Sequence, residues 1–124
     1  MTKRGLEGKA VVVTGAGSGI GRATAIAAAR RGAKVYVCDV SSEGMAETAR
    51  LAADGGGGRL RRMECVDVAR ADAVASFAEL VHAEVEAVDL LVNNAGVPLG
   101  AHFLDTSLDD WRWIIDINLM GVVH

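Results

Sequence analysis

Four glycines fall within seven residues at Gly15-Ala16-Gly17-Ser18-Gly19-Ile20-Gly21, one residue after three consecutive valines and directly before the alanine-rich stretch 22–31. Glycine at a strand-to-helix turn takes positive φ readily and lets a ligand approach the backbone without meeting a Cβ. A helix starting there turns its unpaired N–H groups and positive dipole end toward the turn, which suits a phosphate. The chemistry implied is a grip on a nucleotide pyrophosphate; the bland alternative is a turn needed only for close strand–helix packing. The spacing is T-G-x-x-x-G-x-G, carried by Thr14, Gly15, Gly19 and Gly21, and not G-x-G-x-x-G, because Ile20 stands where the third glycine would fall. No Gly-Lys-Ser/Thr follows, which excludes a P-loop.

Asp39 stands 18 residues beyond Gly21. In a dinucleotide-binding arrangement its strand lies beside the first, and an acid at that strand end reaches the adenine-side ribose. A carboxylate there accepts from both ribose hydroxyls, each charge-assisted bond being worth roughly 1.5–3 kcal/mol. The same charge repels a 2′-phosphate, and no Arg or Lys occurs at 40–42 or within 15–21. NAD is therefore expected in preference to NADP, the alternative being that Asp39 is a solvated strand-end acid.

These residues need strands and helices to hold them. Residues 9–14 read as a strand, continuously apolar as befits one covered on both faces. Residues 20–31 read as a helix stopped by Gly32. A second strand spans 34–40, Ser41 or Ser42 caps a helix through Ala53, and four glycines at 55–58 make a surface turn. Residues 60–66 form a third strand, and a helix over 71–85 places Val74, Phe77, Ala78 and Val81 on one face. A fourth strand at 88–92 leads into Asn93-Asn94-Ala95-Gly96 and a loop over 97–105. Thr106 or Ser107 opens a last helix that still runs at His124, with Ser107 and Asp110 spaced as a capping box. This alternation predicts an α/β fold, a parallel sheet of right-handed crossovers with helices on both faces.

Composition narrows the classes. With 124 residues, 51% hydrophobic but only 4% aromatic, the chain is one domain at most, packed by small aliphatic side chains. A net charge of −3 gives no reason to expect nucleic acid or an anionic membrane. No apolar run approaches the ~20 residues of a membrane-spanning helix. The polar first nine residues lack the apolar centre of a signal peptide, so the expected location is cytoplasmic. Cys38 and Cys65 have no CxxC or Cys/His spacing; they are expected to be reduced, buried strand residues, and no metal site is expected.

Taken together, Thr14-Gly15, Gly19, Gly21, Asp39, Asp67-Val68, Asn93-Asn94-Ala95-Gly96 and Asn118 make the chain resemble the N-terminal half of a short-chain dehydrogenase/reductase. The resemblance covers nearly all of the sequence. It implies a Rossmann-type doubly wound parallel sheet, represented by its first four strands, with residues 1–124 forming an NAD(P)-binding domain. It implies that the turn, with Gly15, Ser18, Gly19, Ile20 and Gly21, holds the pyrophosphate. Asp67 would bond the adenine amino group with Val68 beside the ring. Asn94, Ala95 and Gly96 would line the cofactor cleft, and Asn93 would brace the sheet. Asn118 lies among Ile114, Ile115, Ile117 and Leu119, where an asparagine is costly unless satisfied. The resemblance implies that it perturbs the helix and that its carbonyl holds a water in a proton relay to a catalytic lysine. The alternative is a polar residue on the solvent face.

The family's catalytic serine and Tyr-x-x-x-Lys pair lie C-terminal to that asparagine, and none of the three is present. The only tyrosine, Tyr36, is followed four positions later by Val40. The chain alone is expected to bind NAD without turnover, as a truncated part of a longer protein. That protein is expected to be an NAD-dependent oxidoreductase moving hydride between nicotinamide and a small-molecule alcohol or carbonyl substrate. Leu108, Trp111, Trp113 and Ile115 give the last helix two apolar faces. Core packing uses one, and the resemblance implies that the other meets a neighbouring subunit, so a homo-oligomer of the complete protein is expected. A non-catalytic dinucleotide-binding module and a methyltransferase remain as alternatives; Thr14 and Asn93-Asn94-Ala95-Gly96 argue against the latter.

Overall fold

A computed structural model describes residues 5–124. Strands β1 (Ala10–Thr14), β2 (Lys34–Asp39), β3 (Leu60–Cys65) and β4 (Leu90–Val92) form one sheet in the order β3-β2-β1-β4, with every pairing parallel. Helices α1 (Gly19–Ala29), α2 (Ser42–Ala53) and α3 (Ala71–His82) lie in the crossovers, and α4 (Leu108–Ile115) follows the last strand. This is the Rossmann-type doubly wound arrangement.

Alternation along the central strands builds two cores, one on each face. Val11, Val13, Val35 and Val37 meet Ala25, Ala28 and Ala29 of α1 and Met45 and Ala52 of α2. Val12, Tyr36 and Cys38 meet Phe77 and Val81 of α3 on the opposite face. The alanines of α1 let that helix lie close to the sheet, as its composition suggests.

Local signals set the helix ends. α1 stops at Ala29, and Gly32 takes a φ of +80° as the chain turns into β2. Ser41 caps α2 by accepting from the Gly44 amide at 3.0 Å. Ser107 and Asp110 form a reciprocal capping box on α4.

Four expectations need correction. α3 ends at His82 rather than running to 85. β4 pairs only over Leu90–Val92, because Asp89 turns its carboxylate back to the Ala10 amide at 2.8 Å and the Lys9 Nζ at 3.0 Å. Cys65 is exposed, since β3 is an edge strand whose alternate residues face solvent; both cysteines are free thiols. The last helix is interrupted, with a π turn at Asp116–Met120 between α4 and a final α-helical turn, Gly121–Val123. Among the described residues no helix is long and apolar enough to cross a membrane.

Candidate nucleotide site

β1 delivers the chain to the glycine turn at the C-terminal edge of the sheet. Gly15 and Gly19 have φ of +65° and +52°, in the left-handed region that disfavours side chains. A Cβ on Gly15 would stand 2.8 Å from the Ala95 Cα, whereas one on Gly19 would meet nothing within 4 Å. Gly19 is therefore demanded by its backbone angle, and it leaves open space above the turn. Gly21 faces the other way: a Cβ there would collide with the Gly15 carbonyl and the Asn94 side-chain amide. It lies behind the turn, buried, and contributes no wall to the cleft.

α1 differs from its neighbours at its first residues. Its N-cap, Ser18, makes no side-chain cap bond, and its first turn carries no acid. By contrast, α2 and α4 are serine-capped with acidic residues in their first turns, and α3, which also lacks a side-chain cap, carries Asp72 in its first turn. The leading amides of α1 thus keep their capacity for an external anion.

Asp39, at the end of β2, accepts from the Gly17 amide at 2.8 Å and from the Ser41 amide at 2.9 Å, one on each carboxylate oxygen. Each oxygen retains capacity for a further donor. Beyond β3, Asp67 is exposed and accepts from the Ala69 amide at 2.9 Å, while Val68 is buried.

Thr14 joins the two halves of the cleft. Its Oγ1 accepts from the Asn94 and Ala95 amides at 3.1 and 3.0 Å. The Asn94 side chain donates in return to the carbonyls of Thr14 and Gly15, at 3.1 and 3.0 Å. Bracing of the sheet therefore falls to Asn94 and not, as expected, to Asn93. Successive residues leaving a strand face opposite ways, and Asn93 turns to the α3 face. There it borders a second, largely apolar cavity of ≈ 400 Å³ with Val12, Phe77 and Val81. Cys38 also faces that cavity, its thiol pushed up to about 12 by burial and then by the Asp39 charge.

Asn118 sits within the π turn, exposed, and both ends of its side-chain amide are bonded to Val97. It accepts from the Val97 amide and donates to the Val97 carbonyl, both at 2.8 Å. Asn118 thus pins the loop after Gly96, while its neighbour Ile117 reaches the cleft.

The cleft has a volume of ≈ 350 Å³. Gly15, Ser18, Gly19, Ile20 and Asp39 line one side, and Asp67, Val68, Asn94, Ala95 and Gly96 line much of the other. It lies at the C-terminal strand ends, where the order reverses between β1 and β4, the place where open α/β sheets bind ligands. The family model described as short chain dehydrogenase matches residues 9–124. The chain belongs to the short-chain dehydrogenase family.

This short-chain dehydrogenase chain is 44% identical over 123 residues to the Mycobacterium tuberculosis protein named Probable oxidoreductase EphD, covering 98% of this chain and 20% of that protein. A short chain dehydrogenase/reductase from Burkholderia phymatum, solved in complex with NAD, matches with a TM-score of 0.86 at 35% identity. The match covers 100% of this chain and 43% of that one. An NAD(P) dependent dehydrogenase structure from Beutenbergia cavernae, with NADP bound at low occupancy, matches with a TM-score of 0.81 at 41% identity, over 95% of this chain and 46% of that one. The chain spans less than half the length of each of these proteins.

Sequence reasoning missed two groups at the short-chain dehydrogenase cleft. Val40, Val66, Val97 and Ile117 add apolar wall; the first three flank residues already singled out, and Ile117 precedes Asn118. Arg22 and Thr48 hold the turn from behind, with the Arg22 Nε donating to the Thr48 Oγ1 at 3.0 Å. A signal existed for Arg22, because a cation in the first turn of a helix opposes the dipole and needs a compensating partner.

Proposed function

We propose that residues 1–124 form the NAD-binding domain of an oxidoreductase that moves hydride between nicotinamide and a small-molecule alcohol or carbonyl substrate. The observation that carries this reading is a convergence in one cleft. An uncapped helix N-terminus, the acid ending β2 and the Asn94–Gly96 strip meet at the switch point of the sheet. A dinucleotide fits these groups. The turn from Gly15 to Gly21 holds the pyrophosphate, with Ser18, Gly19 and Ile20 on its open side and Gly21 keeping the backbone tight behind. Ile20, 78% exposed, and Val40, 68% exposed, are large apolar side chains on the cleft rim that a bound nucleotide would cover.

Asp39 takes the ribose hydroxyls, Asp67 the adenine amino group, and Val68 the edge of the ring. Asn94, Ala95 and Gly96 form the wall toward the nicotinamide. The bound nicotinamide supplies the hydride acceptor or donor. Asn118 contributes through its main chain: a π turn displaces a carbonyl from the regular α ladder, and that carbonyl serves a water-mediated proton relay. The acid/base itself comes from the family's serine and Tyr-x-x-x-Lys in the complete protein. Tyr36 is unsuited to that role, being fully buried in the α3-side core with its hydroxyl 3.2 Å from Glu84. The Tyr36 phenol is pushed up, chiefly by burial.

NAD is preferred to NADP. The Asp39 charge opposes a 2′-phosphate, residues 40–42 bring no cation, and the Arg22 guanidinium is committed to protein oxygens. The complete protein works in the cytoplasm as a homo-oligomer, an assembly favoured by exposed Leu108, Trp113, Ile115 and Leu119.

The test is Asp39→Ala. It should weaken NAD binding by about 2–3 kcal/mol, measured by calorimetry, while weakening NADP binding less. Equal loss for both cofactors would refute the ribose assignment.

A further inference from the structure

We infer that Arg22 and Thr48 form a latch that aims the amides of the glycine turn, so that α2 is a working part of the phosphate site and Arg22 is its positioning residue. This rests on the reading of the cleft as a dinucleotide site. The latch grips two successive carbonyls from behind. Thr48, fully buried on α2, donates its hydroxyl to the Ala16 carbonyl at 2.7 Å and accepts from the Arg22 Nε at 3.0 Å. The Arg22 Nη2 donates to the Gly17 carbonyl and, at 3.2 Å, to the Gly44 carbonyl.

A trans peptide points its C=O and N–H in opposite directions. With the Ala16 carbonyl drawn toward Thr48, the next amide, that of Gly17, emerges on the far side, where it meets Asp39 at 2.8 Å. By the same geometry, the Gly17 carbonyl drawn toward Arg22 turns the Ser18 amide away from the latch, and Ser18 lines the cleft. One peptide thereby orients the acid assigned to the ribose, and the next presents a donor to the assigned pyrophosphate. The fit is tight on the α2 side too, since a Cβ on Gly44 would stand 2.5 Å from the Gly17 oxygen. The latch also gives a cation in the first turn of α1 its compensating partners.

The experiment compares Arg22→Met, Arg22→Lys, Thr48→Val and Thr48→Ser in the purified protein, with circular dichroism to verify folding. Binding of NADH and of adenosine, which has no phosphate, is titrated for each. Arg22→Met and Thr48→Val should each raise the Kd for NADH about tenfold or more, the effect of losing one to two oriented bonds. Adenosine binding should stay unchanged in Arg22→Met and weaken by less than that of NADH in Thr48→Val, whose peptide meets Asp39. Thr48→Ser, which keeps the hydroxyl, should restore NADH affinity to within about threefold of wild type. Wild-type NADH affinity in a folded Arg22→Met or Thr48→Val overturns the latch, as does an equal loss of NADH and adenosine. If those two variants lose their helical signal, Arg22→Lys decides. Weakened NADH with unchanged adenosine sustains the latch, and unchanged binding of both ligands overturns it. A wild-type protein that fails to bind NADH sinks the dinucleotide reading itself.

Discussion

The two sides of the cleft are built differently. On the side of β1, α1, β2 and α2, Val11, Val13, Val35, Tyr36 and Val37 are fully buried, and the glycine turn rests on two packed strands and two helices. On the side of β4 and α4, within residues 5–124, Leu90 and Leu91 are 41% and 54% exposed, and α4 contributes no buried residue. This second side is joined to the first by the short β1–β4 ladder, by the partly buried Val92, Ala95 and Ile117, and by the bonds of Thr14 to Asn94 and Ala95, while Asn118 ties Val97 down within the second side. One wall is thus set by fully buried packing, the other by hydrogen bonds and partly buried contacts, which open at lower cost. Low local stability of this kind is where segments that move around ligands are found. The assigned phosphate grip sits on the rigid wall, and the strip from Asn94 to Val97 sits on the compliant one.

The largest test of this contrast is a pair of truncations. Met45→Ala, in the core beneath α2, should cost about 3 kcal/mol by the usual large-to-small penalty. Leu91→Ala, half in solvent in the 124-residue chain, should cost that chain under about 1 kcal/mol because it removes little buried surface. Urea unfolding of both variants decides the matter. Comparable losses would show that the β4 side is packed as firmly as the other, and the contrast would be gone. A smaller change sharpens it further. Asn118→Ala removes two bonds to Val97 and should cost about 1 kcal/mol, given their exposure. Amide exchange should accelerate at Val97 and Gly96 while residues 15–21 stay as protected as before. Acceleration at both places would mean that the two walls open as one unit.

The parts of this structure legible in the sequence are those set by short-range rules. The glycine turn, the Ser41 cap and the Ser107–Asp110 capping box each depend on residues a few positions apart, and their chemistry is visible in residue type. The parallel sheet was legible from alternating strand and helix patterns, because apolar β-branched runs need cover on both faces. What the pattern could not show depends on partners distant in sequence. Cys65 faces solvent because β3 happens to be an edge, and sequence spacing does not state which strand ends a sheet. Asn93 and Asn94 are alike in type; only the position of Thr14 decides which of them braces the turn. Arg22, a cation at the wrong end of α1, signals that it needs a partner, but which partner shows only when Thr48, 26 positions away, is brought beside it.

The smallest expected effect concerns pH and again separates the two sides. Asp110 is held below the ordinary carboxylate range, first by the Ser107 hydroxyl and then by the Ser107 amide. Asp89, at the base of β4, is likewise held low, by the Ala10 amide and then by Lys9. A carboxylate whose folded pKa is depressed adds stability that is fully present above its unfolded value of about 3.9. That stability is lost as pH falls through the lower folded value. Both groups belong to the compliant side; on the other side Glu47 of α2 is also held low, chiefly by Arg50 of the same helix, but the first turn of α1 carries no acid at all. Acidification below about pH 4 should therefore loosen α4 and β4 before the packing of α1 against β1 is affected. Amide exchange resolved by residue, followed from pH 5 downward, would register the order (roughly one unit on either side of the unfolded carboxylate value). Asp110→Asn should flatten the acid limb at the α4 amides and leave that of β4 in place. An unchanged limb at α4 would assign its acid sensitivity to Asp89 and the sheet edge, making β4 and α4 one cooperative unit instead of two.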